Sequence, residues 1–230
     1  MTEYELPGPP PIAVSVKRSA RAKRYGLRIS RLDGRVTLTV PRGGTERGAL
    51  SFLRAQEDWL RAQLATQLPA QRVGIGTRLP LEGRLARVVE TEARRGGLAG
   101  DFIEVPVRAA SPGAYVAGLL KAQAQARLSE ASAHYADLVG RAFSGISLRD
   151  TRSRWGSCSS AGRLMYSWRL IMAPPEVLDY VAAHEVAHLV EMNHSAAYWR
   201  VVARICPDYA VHRDWLRQEG AGLHRYRFKD

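Results

Sequence analysis

The sequence predicts an α+β fold in two parts: a small N-terminal antiparallel β-rich unit, then a helix-and-sheet domain. Three observations carry that prediction. Short alternating apolar runs, separated by glycine and proline, fill most of residues 12–110. Helical periodicity dominates the remainder, over 112–139 and again over 176–190. The second of these helices carries His184-Glu185-Val186-Ala187-His188, two histidines four residues apart and therefore on one helix face.

Residues 1–11 read as a flexible lead, because Pro7-Gly8-Pro9-Pro10-Pro11 suits neither helix nor sheet. Residues 12–110 read as the β-rich unit. Ile12-Ala13-Val14-Ser15-Val16 alternates as a strand does, and so does Gly26-Leu27-Arg28-Ile29. Asp33-Gly34 is a hairpin turn signal before the strand Arg35–Val40. The intervening basic residues Lys17, Arg18, Arg21, Lys23, Arg24, Arg28 and Arg31 are expected on a turn and an exposed sheet face.

Thr45 is a good N-cap for one helix reaching about Leu68, with Ala49, Leu50, Leu53, Trp59, Leu60 and Leu64 at helical spacing. Between Val73 and Val107, two or three short strands are expected to join the first sheet.

Residues 111–230 read as a second, catalytic domain. Ser111-Pro112 opens a long helix to about Val139. Ile146–Arg149 is a strand, and Asp150–Ser160 a shaped loop around Trp155. Gly162–Met172 is expected to be extended until Pro174-Pro175 stops it. Ser195 caps a helix over 196–205, His212–Leu216 belong to a final helix, and the tail from Gly220 folds back over the domain.

Composition narrows the class. At 46% hydrophobic residues, 230 residues can bury a substantial core. No run of about eighteen apolar residues exists, so no membrane span is expected. The start, acidic and proline-rich, lacks the basic-then-apolar pattern of a secretory signal. Cys158 and Cys206 do not make a disulfide framework. The cytoplasm is the expected compartment. The net charge of +12 permits nucleic acid, an anionic membrane or acidic protein as a partner. A genome biased towards arginine codons would give the same charge without any such partner.

The chemistry lies in the histidine helix. His184 and His188 can reach one ion, and Glu185 can address water on it. Zinc makes bound water acidic near neutral pH, and a carboxylate can take that proton. A catalytic zinc site needs a third protein ligand and an open fourth position. His194 is the best candidate, just past the helix end, with Asn193 suited to a left-handed turn. The helix is apolar on most of its surface and so should be buried. Buried histidines and a buried glutamate need partners, which a metal supplies.

The stretch HEVAHLVEMNHSAAYW, preceded by RSRWGSCSSAGRLMYSWRLIMAPPEVLDYVAAHE, resembles the YgjP-like metal-dependent hydrolases, relatives of the SprT-like and WLM metallopeptidases of the zincin class. The segment VKRSARAKRYGLRI also resembles that family's opening. The resemblance implies a zincin-like second domain, zinc ligands at His184, His188 and His194, Glu185 as general base, and a cytoplasmic protein. Metzincins carry glycine where this chain has Glu191, a departure that sets it apart from them.

Several alternatives stay open at this level. Cys158 is a rival third ligand, since thiolate binds zinc well. His134 reads as a surface or core histidine and not as a ligand. The tetrahedral oxyanion needs a donor, for which Arg152 and His212 lead Tyr166, Arg169 and Tyr209. Asp150, Glu191 and Asp208 could orient the ligand imidazoles. An extended peptide could add to the free edge of the strand before the metal helix. The expected function is therefore a zinc peptidase acting on protein or peptide. A basic nucleic-acid-associated module with structural zinc, or a protease directed to nucleic-acid-bound protein, is the alternative.

Overall fold

The structure, a computed structural model, describes residues 2–30, 34–65 and 69–229. It forms an α+β fold in two compact units, Met1–Ala70 and Gln71–Asp230.

In the first unit, strands β1 (Thr2–Leu6), β2 (Ile12–Ser19), β3 (Gly26–Ile29) and β4 (Val36–Pro41) form one sheet in the order β1-β2-β4-β3. The lead expected to be flexible is thus a strand. Tyr4 and Leu6 alternate with acidic residues, and β1 pairs antiparallel with β2 from Thr2↔Val16 to Leu6↔Ile12. The sheet is mixed, because β2 runs parallel to β4 while β3 runs antiparallel to it. Asp33 of the expected hairpin turn, and Arg31, lie outside the described residues; Gly34 has the positive φ, 70°, of a turn glycine. Lys17, Arg18, Arg21, Lys23, Arg24 and Arg28 are exposed, as a solvated sheet face requires.

Thr45 caps α1 (Glu46–Ala55), its side chain accepting from Gly48 N at 3.0 Å. The single helix expected here is two, because the chain breaks at Gln56 before α2 (Glu57–Ala65); the expected end at Leu68 lies outside the described residues. Leu6, Val14, Leu38, Leu53 and Leu60 make this unit's own core.

The second unit begins forty residues earlier than the sequence suggested, at 71 and not 111. It opens with β5 (Gln71–Arg72), β6 (Arg78–Leu81), β7 (Arg84–Thr91), β8 (Leu98–Ala99) and β9 (Phe102–Pro106). The last four form a separate sheet, β6-β7-β9-β8, and do not extend the first one. Packing gives the reason. Leu79, Val88, Ile103 and Val105 share a core with Val116, Leu120 and Ala124 of the long helix α3 (Pro112–Val139). That helix starts as its sequence dictates. Ser111 Oγ accepts from Ala114 N at 3.3 Å, Pro112 occupies the first turn, and Gly140 closes the end at φ 62°. Replacing such a cap by alanine costs about 1 kcal/mol.

A second, three-stranded sheet follows, made of β10 (Gly145–Arg149), β11 (Gly156–Cys158) and β12 (Arg163–Ser167) in the order β10-β12-β11. The expected extended run ends at Ser167, and Trp168–Met172 is a buried 3-10 helix. Arg169 explains its burial. Its guanidinium holds Asp150 through Nε–Oδ1 at 2.6 Å and Nη2–Oδ2 at 3.1 Å, and donates to the carbonyls of Leu223 and Tyr226. It also lies over the rings of Trp168 and Phe228. Burial alone would raise the Asp150 carboxyl, but the hydrogen bond and charge of Arg169 outweigh it and hold the group below its ordinary value.

Pro175 then starts α4 (Pro175–Ala187), which lies against α3. Ser195 caps α5 (Ala196–Ile205), and α6 (Tyr209–Gln218) follows. A short 3-10 segment, Gly220–Arg225, leads into β13 (Tyr226–Arg227), which pairs parallel with β5. The tail does fold back on the unit. No helix among the described residues is long and apolar enough to cross a membrane.

Candidate metal centre

The centre is built by α4 and the turn after it. Val177, Val181, Ala182, Ala183, Val186 and Ala187 are buried, so the helix passes through the core. His184 and Glu185 sit in its last turn, and His188 is the C-cap residue. The helix stops at Ala187, three residues before the expected Val190, and residues 188–190 form turns. The chain then swings His194 back towards the helix.

Asn193 helps this turn in a way the sequence did not suggest. Among the described residues, the non-glycine with positive φ is Glu82, so Asn193 is not left-handed. Its Oδ1 accepts from Ser195 N at 3.0 Å, and Ser195 Oγ in turn accepts from Tyr198 N at the start of α5. A side-chain turn thus joins directly to a helix cap.

Three imidazoles converge. One ligand atom from each of His184, His188 and His194 lies within 4.8 Å of the others. His184 Nε2 and His194 Nε2 are 3.2 Å apart. His188 Nδ1 lies 3.0 Å from the Glu191 carbonyl, which leaves Nε2 for a ligand. It is therefore the Glu191 backbone, and not its carboxylate, that orients a histidine. Tyr198, fully buried, packs against all three rings and bonds the helix backbone. Its hydroxyl donates to the His184 carbonyl at 2.9 Å, and its ring stacks on His188 at 4.5 Å.

Burial pushes His184 down to about 3, with His188, His194 and Arg213 adding repulsion. Burial also lowers His188, against the pull of the Glu191 backbone. Both rings are therefore neutral near pH 7, the form in which imidazole ligates a metal. Three imidazole nitrogens at this separation fit a divalent metal with a position left open. Three ligating side chains converge among the described residues, whereas a closed structural site would present four.

Glu185 is 4% exposed, and burial pushes its carboxyl up to about 8, with Arg154 pulling the other way. It faces a cavity of about 290 Å³ that His184, Gly156, Trp155 and Tyr180 also line. Gly156 lies against it: a Cβ there would meet Glu185 Oε1 at 2.5 Å and Cγ at 2.6 Å. The close approach of strand backbone to carboxylate thus requires glycine.

Other residues fall elsewhere. Cys158 is half-buried on β11, its thiol raised by burial and by Glu185, and its sulfur is not among the converging ligand atoms. His134 is exposed on α3, edge-on to Tyr135. Tyr166 is fully buried, with its hydroxyl 3.0 Å from Ser132 Oγ inside the core. It presents nothing to the cavity, because the alternation of β12 turns it inward. Arg152 interacts electrostatically with Asp150 and His224 and does not line the cavity; neither does His212. Arg169 is committed to Asp150 and the tail carbonyls, and Tyr209 stacks on Trp199. Asp150, proposed to orient a ligand, serves Arg169 instead. The arginines that do line the cavity are Arg154, Arg213 and Arg217. Sequence reading passed over them, although each lies one to five residues from a candidate it considered.

The strand order also corrects the expected cleft. The strand before the metal helix, β12, is central, so its edges are both paired. The edge strands are β10 and β11, and β11, the one beside Glu185, pairs antiparallel with β12 from Gly156↔Tyr166 to Cys158↔Leu164.

A buried glutamate beside three converging imidazoles, at the end of a core helix in an α+β unit, has the donor set of a metallopeptidase. The family comparison gives the same class: residues 23–219 match the YgjP-like metallopeptidase domain, and the chain belongs to that family. Members of such a family are metal-dependent peptidases acting on protein or peptide. Among solved structures, the metallopeptidase zymogen of Pyrococcus abyssi, abylysin, is similar over 40% of this chain and 93% of that one, at 20% identity and a TM-score of 0.37. No curated protein matches the chain.

Proposed function

We propose that this chain is a zinc-dependent peptidase of the HExxH type, with His184, His188 and His194 as ligands and Glu185 as general base. The observation that carries the reading is the convergence of three ligand nitrogens within 4.8 Å of one another, beside a buried carboxylate that faces a cavity. Zinc held there would polarise the scissile carbonyl and make water acidic near neutral pH.

The chain's own residues do the rest. His188 is held in one tautomer by the Glu191 carbonyl, and Tyr198 packs against the imidazole rings. Glu185 takes a proton from the attacking water and returns it to the departing amine. Gly156 lets that carboxylate lie against β11. The edge of β11 that pairs with no strand among the described residues offers backbone groups beside Glu185, to which an extended peptide can add as a further strand. Main-chain recognition of this kind suits a peptide substrate with little demand on its sequence.

The test is cleavage of a proteome-derived peptide mixture, read by mass spectrometry. The zinc-supplemented protein is expected to cleave it, chelator to stop cleavage, and added zinc to restore it. Cleavage that persists in excess chelator would contradict the reading.

A further inference from the structure

The cavity beside Glu185 has a composition that catalysis alone does not require. Val181, Leu216 and Trp155 line it with apolar surface. Three arginines, Arg154, Arg213 and Arg217, line it as well. Among the residues that line it, Glu185 is the one carboxylate, so arginines outnumber acidic groups in the lining. Asp214 pairs with Arg217 at 3.2 Å.

Arg213 is the most constrained of the three. Its guanidinium lies over the Trp199 ring at 5.1 Å, which fixes its plane. Its Nε is buried and has no hydrogen-bond partner among the described residues. That covered donor is out of reach of a ligand in the cavity, which would meet the guanidinium through its other nitrogens. Arginine is also the side chain whose fork matches a carboxylate in two places. The volume, about 290 Å³, suits a side chain and not a large separate ligand.

We propose that this cavity is a specificity subsite that binds a carboxylate of the peptide substrate, on a residue flanking the scissile bond. Arg213 and Arg217 grip the carboxylate. Arg154 lines the same cavity. Val181, Leu216 and Trp155 pack on the methylenes. A peptide added to the edge of β11 delivers a side chain here, because Gly156 begins that strand, Trp155 precedes it, and both line the cavity. The subsite rests on the peptidase reading above. It adds to that reading a substrate class: peptides acidic beside the cut, or ending there in a free carboxylate.

The experiment is cleavage-site profiling of the zinc-supplemented protein on two synthetic peptide libraries, one with free and one with amidated C-termini. Glutamate or aspartate should be enriched about tenfold or more at one flanking position. Enrichment that survives amidation assigns the subsite to an acidic side chain. Cleavage near chain ends that disappears on amidation assigns it to the terminal carboxylate. Arg213→Gln and Arg217→Gln should each bring the preference towards unity. Arg204→Gln, which removes the same charge from an exposed position of α5 outside the cavity, should not. Arg217 is exposed, so its variant carries the test if Arg213→Gln does not fold. Cleavage without any carboxylate preference, or a preference unchanged in the cavity variants, overturns the subsite and leaves the peptidase reading standing. Failure to cleave any peptide contradicts both.

Discussion

Glu185→Gln is expected to lower peptide cleavage by about 10²–10⁴-fold, the usual contribution of a general base, with metal content unchanged. Glutamine has nearly the same shape, so it fits the space against Gly156 and leaves His184 and His188 in place. What it loses is the capacity to take a proton. The substitution should not destabilise the fold, because burying a carboxyl that is 4% exposed is itself unfavourable. The measurements are kcat/KM on one cleaved peptide, metal per chain by elemental analysis, and thermal unfolding. A variant that retains activity within about threefold would move the base elsewhere, since removing a true general base costs about a hundredfold or more. A variant that loses metal would indicate that Glu185 acts on the ligands and not on the proton.

Gly156→Ala should have the next largest effect, although position 156 bears no chemistry. The added Cβ would sit 2.5 Å from Glu185 Oε1, 2.6 Å from Cγ and 2.8 Å from Cδ. No carbon tolerates such approaches, so β11 or the carboxylate must move. The carboxylate is the end of a flexible side chain and moves more cheaply than a strand paired to β12. Stability should therefore fall little. Activity should fall about a hundredfold, as misplacement of a reacting group by about 1 Å does. The discriminating measurement is a double-mutant cycle. Gly156→Ala should cost almost nothing further in a Glu185→Gln background. A full additional loss there would mean that Gly156 acts through the substrate-binding edge of β11 and not through Glu185.

Much of this was legible in the sequence, and the reasons are local. The helix over 112–139 announces both ends, by Ser111-Pro112 and Gly140. Ser195 announces α5 in the same way. The spacing of His184 and His188 fixes their shared face, because helix geometry leaves no other arrangement. The unread parts depend on tertiary context. β1 is followed by a proline-rich stretch and carries two glutamates, which mask its alternation of Tyr4 and Leu6. The boundary at 70/71 is set by which core the strands after it share, and two short strands with similar alternation look alike whichever core they join.

The same limit explains the arginines. Arg152 and Arg154 lie in one loop, yet Arg154 lines the cavity while Arg152 interacts with Asp150 and His224. Nothing in their sequence neighbourhood says which way the loop turns. His212 and Arg213 are adjacent on α6, and a rotation of about 100° per residue decides which one lines the cavity. Gly156 did leave a signal. A glycine at the head of a strand, in a loop otherwise full of polar residues, marks a place where another group comes close to the backbone.

The most direct test of the central claim is the metal content of the purified chain, wild type beside His194→Ala, measured by elemental analysis without chelator. The account predicts about one zinc per wild-type chain, as a site with three protein ligands and an open position holds, and a large loss in the variant. Wild type without stoichiometric metal, or a variant that retains it in full, would contradict the three-histidine centre on which the proposed chemistry rests.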